Sequence, residues 1–401
     1  MTPALEDQYC ARNYDPLPVD IVRGKGVHVW DAAGKQYLDM MSAYSAVSHS
    51  HCHPRLVRVL TEQAGQLGIV SRAFRSPLLG PFLKRACDLT GMDMALPMNT
   101  GAEAVETALK AARKWAYQVK EVPADRAEVI VCEGNFHGRT LGAIALSTEA
   151  QYREGFGPFM PGVKVVPFGD AAALAAAMTP NTAAFLLEPM QGEAGIRVPP
   201  AGYLAECASI CRKHNVLLLA DEIQTGLGRT GRLLACQHDD VVPDGLILGK
   251  ALGGGLLPVS LFLARRDVMN VFSPGDHGST FGGNPLAAAI GLEALDTLID
   301  ERLTERSAEL GEHLLRELKA IRSPLIREVR GKGLWVGVDF DPGRIKARTI
   351  AERLLERGVL TKETHHTVIR LAPPLVITRE QLDFALTQFR AVVDAAALSP
   401  A

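Results

Sequence analysis

Between about residues 95 and 265, six short apolar runs recur, "AEVIVCE", "VKVVPF", "AAFLLEP", "VLLLADE", "GLILGK" and "PVSLFLA", with helix-like segments between them. Strands alternating with helices predict βα units and a mainly parallel sheet covered on both faces. Three of the runs end in a polar residue just past the apolar part: Glu188, Asp221 and Lys250. Open α/β sheets bind ligands at the carboxyl ends of their strands, so that shared placement marks a candidate site.

The chain has 401 residues, more than one hydrophobic core usually serves, which predicts either two domains or one large domain with an appendage. Residues 1–45 carry a hairpin-like "GVHVWDAAGKQYLDM" and are expected to pack with the smaller domain. Residues 46–290 would form the large α/β domain and 291–401 a smaller α+β domain. The latter begins within a long helix-like stretch, "PLAAAIGLEALDTLIDERLTERSAELGEHLLRELKAI", and ends in a helix from about Glu380.

A formal net charge of −2 gives no electrostatic footprint for nucleic acid or acidic membrane, so small molecules or other subunits are the expected partners. No apolar stretch reaches bilayer length and the start lacks a basic-then-apolar leader, which predicts a cytoplasmic protein. Seven scattered cysteines do not form a disulfide framework. "HSHCHP", from His49 to Pro54, gathers three imidazoles and a thiol, but no second Cys/His pair at zinc-like spacing accompanies it. No metal is expected, and a turn entering a helix at Pro54 is the plainer account.

Lys250 lies in "GLILGKALGGG". A P-loop needs four residues between its first glycine and the Gly-Lys pair and then a Ser or Thr; here there are three, and Ala251 follows. That disfavours a nucleotide-binding protein and leaves a catalytic amine. "LPMNTGAEA" reads as a loop feeding a helix, with Thr100 and Glu103 as a capping box and Gly101 and Ala102 offering free amides to an anion. Asp221, after five apolar residues, needs a cation or several donors, and a protonated pyridine nitrogen is one such cation. In "EGNFHGRT", Phe136 or His137 could stack on a flat ring and Arg139 could hold a carboxylate.

In their order, "LPMNTGAEA", "NFHGRT", "GFGPFMPG", "EPMQGEAG", "ADEIQTGLGRTG", "LGKALGGG", "HGSTFGGNPLA", "VRGKGL" and "TVIRLAPPLVI" resemble the class III (ω-) aminotransferases of pyridoxal-phosphate fold type I. The resemblance covers nearly the whole chain, and within the family it is strongest toward the branch acting on ornithine. It implies pyridoxal 5'-phosphate as cofactor, bound through Lys250 as a Schiff base, with Lys250 later moving the proton. Asp221 would pair with the ring nitrogen and Gln224 with the ring hydroxyl. Phe136 and Ile223 would cover the two ring faces, and Gly101 and Ala102 would cradle the phosphate. Ser279 and Thr280 would reach the phosphate of a neighbouring subunit, making the active unit at least a homodimer.

For substrate, the resemblance implies that Arg139 binds ornithine's α-carboxylate and later glutamate's distal one, while Arg370 binds glutamate's α-carboxylate. Glu193 would neutralise Arg370 and swing away when glutamate arrives. Tyr14 would contact ornithine's α-amino group and Tyr44 would line the same pocket. The implied reaction takes ornithine and 2-oxoglutarate to glutamate and glutamate-5-semialdehyde, which cyclises to pyrroline-5-carboxylate. That would link arginine and ornithine breakdown to proline. Acetylornithine is the alternative donor. One departure is His137, where some ornithine enzymes have tryptophan.

Overall fold

The computed structural model describes residues 2–398. Near its start, β1 (Ile21–Lys25), β2 (His28–Asp31) and β3 (Gln36–Asp39) form an antiparallel meander. The β2–β3 turn is made by Asp31, whose Oδ1 accepts from the amides of Ala33 and Lys35, both at 2.9 Å. An Asx-type bond of this kind closes a tight turn without help from the core.

The apolar runs become strands of one sheet. Its members are β4 (Met94–Met98), β5 (Glu128–Cys132), β6 (Val163–Val166), β7 (Thr182–Leu187), β8 (Leu217–Asp221), β9 (Gly245–Leu248) and β10 (Ser260–Ala264). Their order is β4-β10-β9-β8-β7-β5-β6. Every residue of β7, β8, β9 and β10 is buried, which is why these segments read as unbroken apolar runs rather than alternating ones. Only β10 runs against its neighbours. The carboxyl ends of β4, β5, β7, β8 and β9 therefore share one edge of the sheet.

The stretch after Asn284, expected as one long helix-like segment, is two helices, Pro285–Asp300 and Leu303–Lys319. The break is at Arg302, which takes a left-handed φ of 52°. Packing explains it: the first helix lies on the helices Pro54–Ala64 and Leu79–Thr90, the second on the C-terminal sheet and final helix. One straight helix could not bury both apolar faces, Leu295 and Leu298 in one direction and Leu314 and Leu318 in the other.

The C-terminal strands are β11 (Ile326–Gly331), β12 (Val336–Phe340), β13 (Val359–Leu360), β14 (Lys362–Thr364) and β15 (Val368–Leu371). Four of them form a sheet in the order β11-β12-β15-β14. The remaining one, β13, instead pairs in parallel with β3, matching Val359 with Leu38 and Leu360 with Asp39. Buried Arg229 ties these parts together, donating to the carbonyls of Leu334 and Pro373 at 3.0 and 2.6 Å and to Ser48 Oγ at 2.8 Å. Burial without a carboxylate in contact pulls its pKa down to about 9, against the field of Asp39.

The three histidines of "HSHCHP" go separate ways: His49 to the Ala294 carbonyl at 2.8 Å, His51 to Asp39 at 2.7 Å and His53 to Glu301 at 3.1 Å. His53 is the N-cap and Pro54 the first residue of the helix Pro54–Ala64. Among the described residues no group of three His, Cys, Asp or Glu side chains gathers as a metal site, and no helix is long and apolar enough to cross a membrane.

Candidate active site

The shared sheet edge collects most of the residues singled out in the sequence. After β4, Thr100 caps the helix Gly101–Gln118: its Oγ1 accepts from Glu103 N at 3.3 Å, and Glu103 Oε2 accepts from Thr100 N at 2.7 Å. The capping box leaves the amides of Gly101 and Ala102 with no helical acceptor, at the positive end of an 18-residue helix. Both small residues are needed for packing. A Cβ on Gly101 would fall 2.9 Å from Ile223 Cδ1, and one on Gly138 would fall 2.8 Å from Ala102 Cβ.

Asp221, the last residue of β8, is buried, and its Oδ2 lies 2.7 Å from His137 Nδ1 in the loop after β5. Of the two stacking candidates, His137 is thus turned to the carboxylate, and Phe136 is the ring left facing Tyr152 and Arg139. Burial alone would lower the His137 pKa, but the hydrogen bond and charge of Asp221 outweigh it and raise it. Glu188, one residue past β7, accepts from the amides of Phe136 at 3.0 Å and Gly192 at 3.3 Å. Burial, together with nearby Asp221, pushes its pKa up to about 7 despite the opposing pull of His137 and of those amides.

Lys250 follows β9 in a short 3-10 turn and adopts a φ of 46°. Its amine has no hydrogen-bond or ion-pair partner among the described residues. Desolvation lowers its pKa to about 8, although the carboxylates of Glu193 and Asp221 favour the charged form. The glycines that follow have a packing role: a Cβ on Gly254 would sit 2.7 Å from Leu56 Cδ1, and Gly255 lies against Val47.

The two arginines differ sharply. Arg370, buried on β15, is gripped in both prongs by Glu193, Nη1 to Oε1 and Nη2 to Oε2, each at 2.9 Å. Burial opposes ionisation of Glu193, yet Arg370 holds it at about 2. Gln224 Nε2 donates to the same carboxylate at 3.0 Å, leaving its own Oε1 buried with no partner among the described residues. Arg139 is exposed and makes neither hydrogen bond nor ion pair among the described residues; it rests on aromatic rings. One fork is closed and the other open.

The peripheral residues are less gathered. Tyr44 lies under Arg370, whose guanidinium is 4.9 Å from the ring centroid. It belongs to the run Ser42, Ala43, Tyr44, Ser45, all with positive φ, a strained turn held by Asp39 Oδ1, which accepts from the amides of Met41 and Ser42 at 2.8 and 2.9 Å. Tyr14 is 68% exposed, in the segment whose Arg12 and Asn13 line the cleft beside Arg139. Ser279 accepts from Asn99 Nδ2 at 2.7 Å within its own chain, and Thr280 is exposed.

The aminotransferase class-III family profile matches residues 9–393. The chain is a class III aminotransferase. Among curated relatives, the ornithine aminotransferase of Geobacillus sp. (strain WCH70) is 56% identical, over 97% of each chain. A solved ornithine aminotransferase from Toxoplasma gondii superposes with a TM-score of 0.97 at 47% identity, covering 98% of this chain and 94% of that one. An acetylornithine aminotransferase from Elizabethkingia anophelis gives 0.89 at 46% identity, covering 98% of each chain. These matches also place the aminotransferase in pyridoxal-phosphate fold type I, as the large α/β and smaller α+β parts were expected to be.

Class III aminotransferases use pyridoxal 5'-phosphate, and the residues here fit it. The edge offers an unpartnered amine at Lys250, a buried carboxylate at Asp221 for a cationic ring nitrogen, free amides at Gly101 and Ala102 for a phosphate, and apolar Ile223 for a ring face. Glu188, marked in the sequence only by its strand-end placement, and Tyr152, Thr364 and Arg330 also belong to this region. Thr364 Oγ1 donates to Glu193 O at 2.8 Å, and Arg330 donates twice to Gly195 O at 3.0 and 2.8 Å, so the backbone at and just after Glu193 is pinned. The only sequence signal was for Glu188, at a strand end; the others depend on contacts between distant segments.

Proposed function

We propose that this aminotransferase moves the terminal amine of ornithine to 2-oxoglutarate, releasing glutamate and a semialdehyde that cyclises to pyrroline-5-carboxylate. The observation that carries the reading is the asymmetry of the two guanidinium forks. With Arg370 neutralised by Glu193, Arg139 is the one of these two forks left without a carboxylate among the described residues, in a cleft it shares with Arg12 and Asn13. A donor with one carboxylate far from its reacting amine satisfies that arrangement. Glutamate and 2-oxoglutarate carry a second carboxylate beside the reacting carbon and need Arg370 as well. Glu193 then rotates off Arg370 while its backbone stays held by Thr364 and Arg330.

Bound pyridoxal phosphate supplies an aldehyde carbon that takes the amine and a protonated ring that withdraws electrons from the bond being broken. Lys250 Nζ would hold the cofactor and, once released, would be the group that moves the proton. Asp221 keeps the ring nitrogen protonated, and His137 fixes the direction of that carboxylate. Gln224 would hydrogen-bond the ring hydroxyl, Phe136 and Ile223 would flank the ring, and Gly101 and Ala102 would receive the phosphate. Ser279 and Thr280 reach the phosphate of a second copy, so that the working unit is a homodimer or larger. Tyr14 and Tyr44 receive the far end of ornithine. The product would feed proline and glutamate formation from ornithine.

A panel of ornithine, N-acetylornithine, 4-aminobutyrate and lysine with 2-oxoglutarate tests the substrate. Ornithine should give the highest kcat/KM and the cyclised product. Faster turnover of N-acetylornithine would transfer the chain to the other branch.

A further inference from the structure

We propose that Tyr152 is a positioning residue that keeps Arg139 open and aimed for a substrate carboxylate. The proposal rests on the reading of Arg139 as that carboxylate's fork. The Arg139 guanidinium carbon lies 4.4 Å from the centroid of the Tyr152 ring and 5.8 Å from that of Phe136. The two rings meet edge to face at 5.8 Å with an interplanar angle of 77°. An aromatic surface attracts the guanidinium through its face and leaves the in-plane N–H groups unspent. A carboxylate partner would occupy them, as Glu193 does on Arg370.

Tyr152 is itself held in place. It lies on the single-turn helix Ala150–Arg153, and the next residue, Arg153, donates through Nη1 to the carbonyls of Ile144, Ala145 and Ser147, all at 3.1 Å. These carbonyls are at the end of the helix Leu141–Leu146, where the last carbonyls lack the usual helical donors and only Ile144 O accepts from the C-cap amide of Ser147, at 3.1 Å. Arg153 also packs over Phe159, 3.9 Å from its centroid. Arg139 comes just before the helix Leu141–Leu146 and Tyr152 just after it. The Arg153 clamp folds that segment back, so that ring meets guanidinium. Together with Arg12 and Phe156 they line a cleft of about 510 Å³. The Tyr152 hydroxyl makes no hydrogen bond among the described residues, which assigns the role to the ring.

The test is equilibrium binding of glutarate, an unreactive dicarboxylate, to the cofactor-loaded enzyme and to its Tyr152→Leu, Tyr152→Phe, Arg139→Ala and Tyr152→Leu/Arg139→Ala variants. Tyr152→Leu should raise Kd about fivefold to tenfold, the scale of a partly desolvated cation–π contact, and Tyr152→Phe less than about twofold. In the Arg139→Ala background Tyr152→Leu should add nothing. The same variant should raise KM for ornithine more than it lowers kcat, and should leave kcat/KM for 1,4-diaminobutane, which has no carboxylate, unchanged. An undiminished effect of Tyr152→Leu without Arg139, or an equal loss in Tyr152→Phe, overturns the positioning role while leaving the Arg139 reading intact. Unchanged glutarate binding in Arg139→Ala removes that reading and the proposal with it.

Discussion

His137 Nδ1 lies 2.7 Å from Asp221 Oδ2, with the two side chains 0% and 4% exposed. The other ring nitrogen, Nε2, is buried with no partner among the described residues. The imidazole therefore spends its one hydrogen bond on the carboxylate that faces the cofactor site, and the direction of Asp221 depends on it.

Replacing His137 with Phe should lower kcat about tenfold to hundredfold, the scale of one charge-assisted hydrogen bond, with the fold retained. The folded-state pKa of His137 is raised, so the pair's stabilisation is full below the unfolded value near 6.5 and fades as pH rises through the folded one. Thermal melts of cofactor-free wild type and His137→Phe should converge as pH rises above about 6.5. A gap that widens with pH would contradict the pairing.

Glu193→Ala should leave Arg370 permanently open, raising the kcat/KM ratio of glutamate over ornithine about tenfold or more. An unaltered donor ratio would remove the switch. Glu193→Gln addresses the pair's energetics. The folded pKa of Glu193 is depressed to about 2 against an ordinary 4.5, so its stabilisation is present above about 4.5 and is lost as pH falls from there toward 2. The variant should be less stable by about 3 kcal/mol at pH 7, as for a broken buried pair, and the difference should shrink in melts taken toward pH 3.5.

Lys250→Ala should abolish measurable transamination, a loss of at least about a thousandfold. Borohydride treatment of the loaded enzyme should add the cofactor's mass less one oxygen atom to the wild type, since water is lost on condensation and two hydrogens are gained on reduction, and nothing to the variant. Because burial draws the Lys250 pKa down to about 8, cofactor uptake by cofactor-free wild type should accelerate with pH with a midpoint near 8. An uptake rate still climbing at pH 10 would mean the amine is not desolvated in solution.

Tyr14→Phe should weaken ornithine, through KM, by about fivefold to thirtyfold, the range of one hydrogen bond to a charged group, and spare 4-aminobutyrate, which has no α-amine. Equal losses on both donors would count against a contact with the α-amino group. Its 68% exposure predicts that the fold is indifferent to the change.

Much of the fold was legible because burial on both faces writes itself into composition. The six apolar runs are β5 to β10, and the Thr100–Glu103 capping box appeared where its spacing placed it. The break at Arg302 was hidden, because both halves of that stretch keep helical periodicity and only their separate packing partners demand a bend. His137 was read as a stacking candidate because its neighbours in sequence do not show the carboxylate 84 residues away to which it turns.

From its sequence alone this chain is set to form a mainly parallel, doubly covered sheet with an amine, a carboxylate and a capped helix start at strand ends, each a local consequence of apolar periodicity and side-chain chemistry. The tertiary structure alone decides which arginine is open. Glu193 and Arg370 are 177 residues apart and meet only because a loop after β7 packs on β15, while Arg139 is left to aromatic rings by a clamp on its own segment. Whether a guanidinium is free depends on what lies within about 3 Å of it, a distance that no local pattern encodes.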